Sequence, residues 1–215
     1  MSHLDEPTGT ASDPVMVILA HPRSNSLNHA LANQVVTSLA AAGRPVRFHD
    51  LYAERFDPVL RPDEAYTSGE RASGVATAST DPVLQAHRID VQACNGLVVV
   101  HPNWWGKPPA ILAGWLDRVL VPGVAYQLAE GGGLPLPLVR LKHLLVVNTA
   151  DTPTDREARV FGDPLDSIWR ACVAPYVGDP RVERVTYAVV ADSTAVERRA
   201  WLADVAHRTT RLFLP

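Results

Sequence analysis

The chain has 215 residues, 47% hydrophobic and 20% charged, enough for one α/β domain with a full core. Its 20 basic and 23 acidic side chains leave a net charge of −3, which excludes the basic footprint of a nucleic-acid binder. The longest apolar runs are too short to cross a bilayer. Two cysteines, Cys94 and Cys172, are too few for a disulfide scaffold and read as structural, so the expected compartment is the cytoplasm.

Residues 1–14 are polar with Gly and Pro and read as a disordered lead-in, without the charged-then-apolar order of a signal peptide. Residues 15–215 read as one domain. Val15 to Ala20 predicts strand one, and His21-Pro-Arg-Ser-Asn-Ser-Leu-Asn28 is a loop after it. Leu31, Val35, Val36 and Leu39 recur at helical spacing from Asn28 to Ala42, with Gly43 as a stop. Pro45 to His49 is strand two, followed by a long surface excursion over residues 53–81. Pro82 to Cys94 predicts helix two, Leu97 to His101 strand three and Pro109 to Leu120 helix three. Val121 to Arg140 is a second long loop, and Leu141 to Asn148 is strand four. Thr149 to Arg159 is expected to be surface loop. Asp163 should cap helix four from Pro164, Val182 to Val190 is strand five, and Asp192 or Ser193 should cap helix five. Five strands alternating with five helices predict a doubly wound parallel sheet, best suited by the order 2-1-3-4-5.

The loop after strand one lacks glycine, so no dinucleotide fingerprint or P-loop is present. Ser24, Asn25, Ser26 and Asn28 before a helix N-terminus can form an anion site, or one of them can simply cap the helix. His21 and His101 end neighbouring strands and are expected on one ligand edge. No third ligand stands at a metal-binding spacing, so no metal is expected. Trp104 and Trp105 share an exposed strand-to-helix turn, where two adjacent indoles cannot both point inward; at least one should face a ligand or a partner. Trp115, Trp169 and Trp201 read as core. No nucleophile elbow or Cys–His arrangement supports a hydrolase.

Taken together, Ala20-His-Pro-Arg-Ser-Asn-Ser-Leu-Asn28, Asp50-Leu-Tyr52, Pro102-Asn-Trp-Trp-Gly106, Pro109 to Arg118 and Ala125-Tyr126 resemble the NAD(P)H:quinone oxidoreductases of the flavodoxin-like fold. The similarity runs in order from residue 15 to about 126. It implies a flavodoxin-like three-layer sandwich and a bound flavin, FAD with FMN as the alternative, reduced by NAD(P)H. His21, Asn25, Ser26, Leu27 and Asn28 would line the cofactor's phosphate end. Pro102, Asn103, Trp104 and Trp105 would run along its ring, and Asn148, Thr149 and Ala150 would border the other side. Trp104, Trp105 and Tyr126 would meet a flat quinone-like acceptor, with Tyr126 reaching a partner subunit's pocket in a homodimer.

One departure is clear. The family's Thr-Thr-Gly-Gly after strand four, and its following Tyr and His, are replaced by Asn148-Thr-Ala-Asp-Thr-Pro-Thr-Asp-Arg156, with Phe161 about where the His would be. Arg156 is therefore the expected charge-stabilising residue. Rival functions are a flavin-binding regulatory subunit associated peripherally with a potassium-efflux transporter, and a flavodoxin-type electron carrier. Near-neutral charge and the tryptophan loop weigh against the carrier.

Overall fold

The structure, a computed structural model, describes residues 13–65, 76, 79–128 and 133–214. Of the expected lead-in, residues 1–12 lie outside the described residues; Asp13 and Pro14 are tied to Asn95, whose amide donates to Asp13 Oδ2 (3.0 Å) and whose N–H donates to the Pro14 carbonyl (3.2 Å). Parts of the two long loops, residues 66–75 and 129–132 among them, also lie outside.

Strand β1 (Val15–Leu19) is fully buried on both faces, as a β-branched run in a parallel sheet should be. Helix α1 (Leu27–Ala41) starts at Ser26, whose hydroxyl accepts the His29 N–H, and turns into β2 (Val46–Asp50) past Gly43 at φ +70°. Asp81 caps α2 (Pro82–Ala93), which leads to β3 (Gly96–Pro102) and α3 (Ala110–Val119). The loop expected after α3 contains a small antiparallel ribbon, β4 (Tyr126–Gln127) with β5 (Leu136–Pro137). β6 (His143–Ala150), β7 (Arg181–Ala188) and α4 (Ala195–Phe213) complete the fold.

The five long strands form one parallel sheet in the order β2-β1-β3-β6-β7, which is the expected 2-1-3-4-5 arrangement once the ribbon is set aside. Side chains alternate between its faces. Met16, Ile18, Leu97, Val99, Leu144 and Val146 meet α2, α3 and the 164–177 segment, with Trp115 and Trp169 fully buried among them. Val15, Val17, Val98, Val100, Leu145 and Val147 meet Leu31, Val35 and Leu39 of α1 and Val205, Leu212 and Phe213 of α4. Trp201 is half-buried, stacked on Tyr187 at 5.5 Å. Both cysteines are free, Cys94 buried and Cys172 exposed.

Three local expectations are corrected. Thr154–Arg156 and Glu157–Phe161 are helical, not loop: the stretch begins after Pro153 and stops at Gly162, whose φ of +73° suits glycine. Asp163 makes no side-chain cap; it is itself left-handed (φ 47°), and its Oδ2 takes a hydrogen bond from Arg184 (2.6 Å). Helix α4 is capped by Thr194 in a reciprocal box with Glu197, neither Asp192 nor Ser193 being the cap.

Candidate functional site

The carboxyl ends of β1, β3 and β6 surround two neighbouring cavities, at the switch point where such sheets bind ligands. The first, about 460 Å³, runs from His21, Asn25, Ser26, Leu27 and Asn28 on one side to Pro102, Asn103 and Trp104 on another. Thr149, Ala150 and Asp151 close it from β6, and Arg23 and Arg198 bring two guanidinium groups to it. The second, about 470 Å³, is lined by Trp105, Gly106, Thr152, Glu157, Phe161 and Pro164. Asn103 and Ala150 belong to both, so the cavities adjoin at the turn after β3.

The first cavity is built around a helix N-terminus. Ser26 accepts the His29 N–H (3.3 Å) and its hydroxyl meets His29 Nδ1 (2.9 Å), while His29 Nε2 meets Asp50 Oδ2 (3.0 Å). Asp50 Oδ1 also accepts the N–H groups of Tyr52 and Ala53. This chain orients the serine beside free backbone N–H groups, a ready anion site. His21 is 7% exposed; burial lowers its pKa, offset only in part by its backbone contact with Arg23, so it stands neutral near pH 7. Asn28 donates from Nδ2 to Thr149 Oγ1 (2.9 Å) and leaves Oδ1 buried without a partner. An orphan acceptor in this wall asks for a hydroxyl or N–H from a ligand, and a flavin carries both beside its phosphate. The donor set therefore fits the group that the resemblance implies.

The turn after β3 is strained and pinned. Trp104 and Lys107 exchange both backbone hydrogen bonds around Trp105 (φ +60°) and Gly106 (φ +70°), a two-residue turn with both central residues left-handed. Such a φ is costly for a tryptophan, and strain of this kind persists where surrounding bonds over-determine it. Asn103 supplies three: its N–H donates to Thr149 O (2.7 Å), its Oδ1 accepts from Gly106 N–H (2.9 Å) and its Nδ2 donates to Glu157 Oε1 (3.0 Å). Trp105 is left 96% exposed, whereas Trp104 is 39% exposed with its ring 6.1 Å from His21.

Three expected residues fall outside both linings, and Tyr126, expected in a partner subunit's pocket, lies away from them too. His101 does not reach the ligand edge with His21. It is fully buried on the opposite face, accepting at Nε2 from Trp169 Nε1 (3.2 Å) and Asn148 Nδ2 (3.0 Å), and burial drops its pKa to about 4. Asn148 is likewise buried, its Oδ1 accepting from Arg184 Nε (2.7 Å), and lines neither cavity. Arg156 is exposed, with its guanidinium 6.0 Å from the Phe161 ring centroid, outside both linings. Tyr126 packs edge-on against Tyr176 (4.7 Å) and lines a third cavity with Leu60 and Leu116. The remaining expected residues, from His21 to Asn28 and from Pro102 to Trp105 with Thr149 and Ala150, are brought together. His29, Asp50, Arg198, Glu157 and Phe161 extend the site. Asp50 stood in the quoted motif without a role, and Arg198 and Glu157 gave no sequence signal.

Outside these linings, His49, Glu54 and His87 place ligand-type atoms within 4.8 Å of one another. Trp115 Nε1 donates to His87 Nδ1 (2.9 Å), which leaves the neutral imidazole's proton on Nε2 facing Glu54 Oε2 (2.7 Å). His49 points Nδ1 at Glu54 and Nε2 at Asp90, both at 3.0 Å. With no lone pair free at His87 Nε2, the arrangement is a hydrogen-bond network rather than a metal-ligand set.

A doubly wound parallel sheet with a polar cavity over a helix N-terminus at the β1–β3 switch defines the flavodoxin-like class. A sequence family described as flavodoxin-like fold matches residues 14–206, and the chain belongs to that family. It is 35% identical over 122 residues to an uncharacterized NAD(P)H oxidoreductase of Haemophilus influenzae, covering 56% of this chain and 57% of that one. It is 29% identical over 171 residues to the human ribosyldihydronicotinamide dehydrogenase (quinone), covering 74% and 73%. The chain spans about half the length of the first of the curated relatives it matches. Among solved structures, a Streptococcus mutans protein superposes with a TM-score of 0.78 at 27% identity, over 93% of this chain and 100% of that one. An NAD(P)H:quinone oxidoreductase from Methanothermobacter marburgensis shares the fold, with a TM-score of 0.72 at 19% identity over 92% and 94%.

Proposed function

We propose that the chain is a flavin-dependent NAD(P)H dehydrogenase that reduces a quinone or a similar flat acceptor by two electrons. The observation that carries this reading is the pair of cavities that adjoin at Asn103 and Ala150, one polar over a helix N-terminus and one walled by aromatic rings. The names of the relatives in Haemophilus influenzae and human support it. A bound flavin supplies the hydride-accepting and electron-donating chemistry. The chain's own residues hold and orient: Ser26 and the first N–H groups of α1 take the phosphate end, and Asn28 Oδ1 accepts from a cofactor hydroxyl or N–H. Pro102 to Trp105 and Thr149 to Ala150 flank the ring, and Trp105 and Phe161 hold a flat molecule at reacting distance, a proximity effect. Arg23 and Arg198 line the phosphate side and suit the two negative charges that FMN and FAD alike carry there, so FAD is proposed on the match of the first loop alone, with FMN as the alternative.

Exposed Leu134, Leu136 and Leu138, beside the β4–β5 ribbon, support assembly as a homodimer. No helix among the described residues is long and apolar enough to cross a membrane; the near-neutral charge and free cysteines support a cytoplasmic location. The test is anaerobic titration of the flavin-saturated protein with NADPH and NADH, followed by visible absorption. Bleaching followed by recovery with a quinone is expected. A bound flavin that neither nucleotide bleaches overturns the dehydrogenase reading in favour of a carrier or regulatory subunit.

A further inference from the structure

The second cavity is not complementary to a quinone alone. A quinone offers only lone pairs, yet the lining holds a carboxylate. Glu157 is 8% exposed, its Oε1 accepts from Asn103 Nδ2 (3.0 Å), and it is the one ionisable residue in the lining. Around it stand the exposed faces of Trp105 and Phe161. Aromatic faces attract a cation through their quadrupoles, and a carboxylate shielded from water adds a direct charge contact stronger than the same pair in bulk solvent. Among the described residues, no ion pair joins Glu157 to its neighbours in sequence: Arg156 lies over Phe161, and Arg159 pairs with Asp155 (3.6 Å), both outside the lining.

We propose that Glu157 is the charge-selecting residue of this cavity, and that the ring it selects is a flat pyridinium cation, the oxidised nicotinamide. The inference rests on the dehydrogenase reading above. A dihydronicotinamide ring is neutral. Breaking its C4–H bond with loss of a hydride, for which a bound flavin would be the acceptor of both electrons, would leave the ring cationic with no proton released. Glu157 stabilises that charge as it develops, which is worth most in a preorganised, water-poor site.

Two probes of nearly equal shape separate charge from fit: 1-methylnicotinamide, a cation, and nicotinamide, which is neutral. Their binding to the full chain, with its flavin, is followed by quenching of tryptophan fluorescence, to which Trp105 contributes. The wild type is expected to bind the cation roughly tenfold more tightly, within the span of desolvated cation contacts. Glu157→Gln, which keeps an acceptor for Asn103, should erase that preference and leave nicotinamide affinity unchanged, and Glu157→Asp should keep part of it. Equal binding of the two probes by the wild type, a preference retained in Glu157→Gln, or no binding of either probe overturns the inference. Bleaching by NADPH without a cation preference removes Glu157's role and leaves the proposed function standing. A cation preference without bleaching upholds the charge selection and removes the dehydrogenase reading.

Discussion

Asn103 joins the two halves of the site through three hydrogen bonds, to the ends of β6, the Trp105 turn and the Glu157 helix. Removing its side chain strands the Gly106 N–H and frees the carboxylate, and each part-buried bond lost costs about 0.5–1.5 kcal/mol. Asn103→Ala is therefore expected to weaken flavin binding by roughly tenfold or more and to shift the tryptophan emission, both read in one fluorescence titration. Unchanged affinity and emission would mean that the turn holds itself. The resemblance named Asn103 as a site residue, but its three partners lie 3, 46 and 54 positions away, and only the folded chain shows them. Trp105's left-handed backbone was equally hidden, because that region is ordinarily the province of Gly and Asn.

At the scale of elements, two contacts fasten the stretch after β2 onto α2 and α3. Gly114 of α3 lies against the backbone of Pro58; a Cβ there would stand 2.1 Å from the Pro58 carbonyl oxygen. Gly114→Ala should accordingly destabilise the chain by about 1–3 kcal/mol through overpacking, although alanine is the better helix former. Denaturant unfolding decides which effect wins. The other contact is the network of His49, Glu54, His87 and Asp90. Burial alone would lower the pKa of His49, but bonds and charges from Glu54 and Asp90 raise it above 6.5. Burial opposes ionisation of Glu54, yet His49 and His87 pull its pKa down to about 2. His49 thus stabilises fully below 6.5, and this is lost as pH rises through its folded value; Glu54 stabilises above 4.5, and this is lost as pH falls towards 2. His49→Gln should cost most in thermal stability between pH 4.5 and 6.5 and progressively less on the alkaline side. A loss in Tm that is flat across that series would sink the ion-pair account. These cross-element pairings leave no mark on local periodicity, and neither does the 154–161 helix, whose polar composition reads as loop until Asn103 and Gly162 are seen to fix it.

Over the whole molecule, the strand order was legible because five apolar runs separated by helical spacing leave few connections that satisfy parallel pairing. The loop after β1 was legible as the start of a helix capped by one of its own residues, which is Ser26, and as a wall of the ligand edge. The ribbon of β4 and β5 was not, at two residues a strand. It is also where the exposed leucines gather, and light scattering should return twice the 23.3 kDa chain mass for the wild type. Leu136→Asp should return the monomer mass, and a monomeric wild type would end the homodimer proposal. The position of β3 has a consequence for synthesis. Gly96–Pro102 is sandwiched between β1, made long before it, and β6, made some forty residues later. Until β6 is available, this largely apolar strand offers an unpaired edge, the template on which chains associate. A released fragment ending near Gln127 should therefore precipitate where the full chain stays in solution.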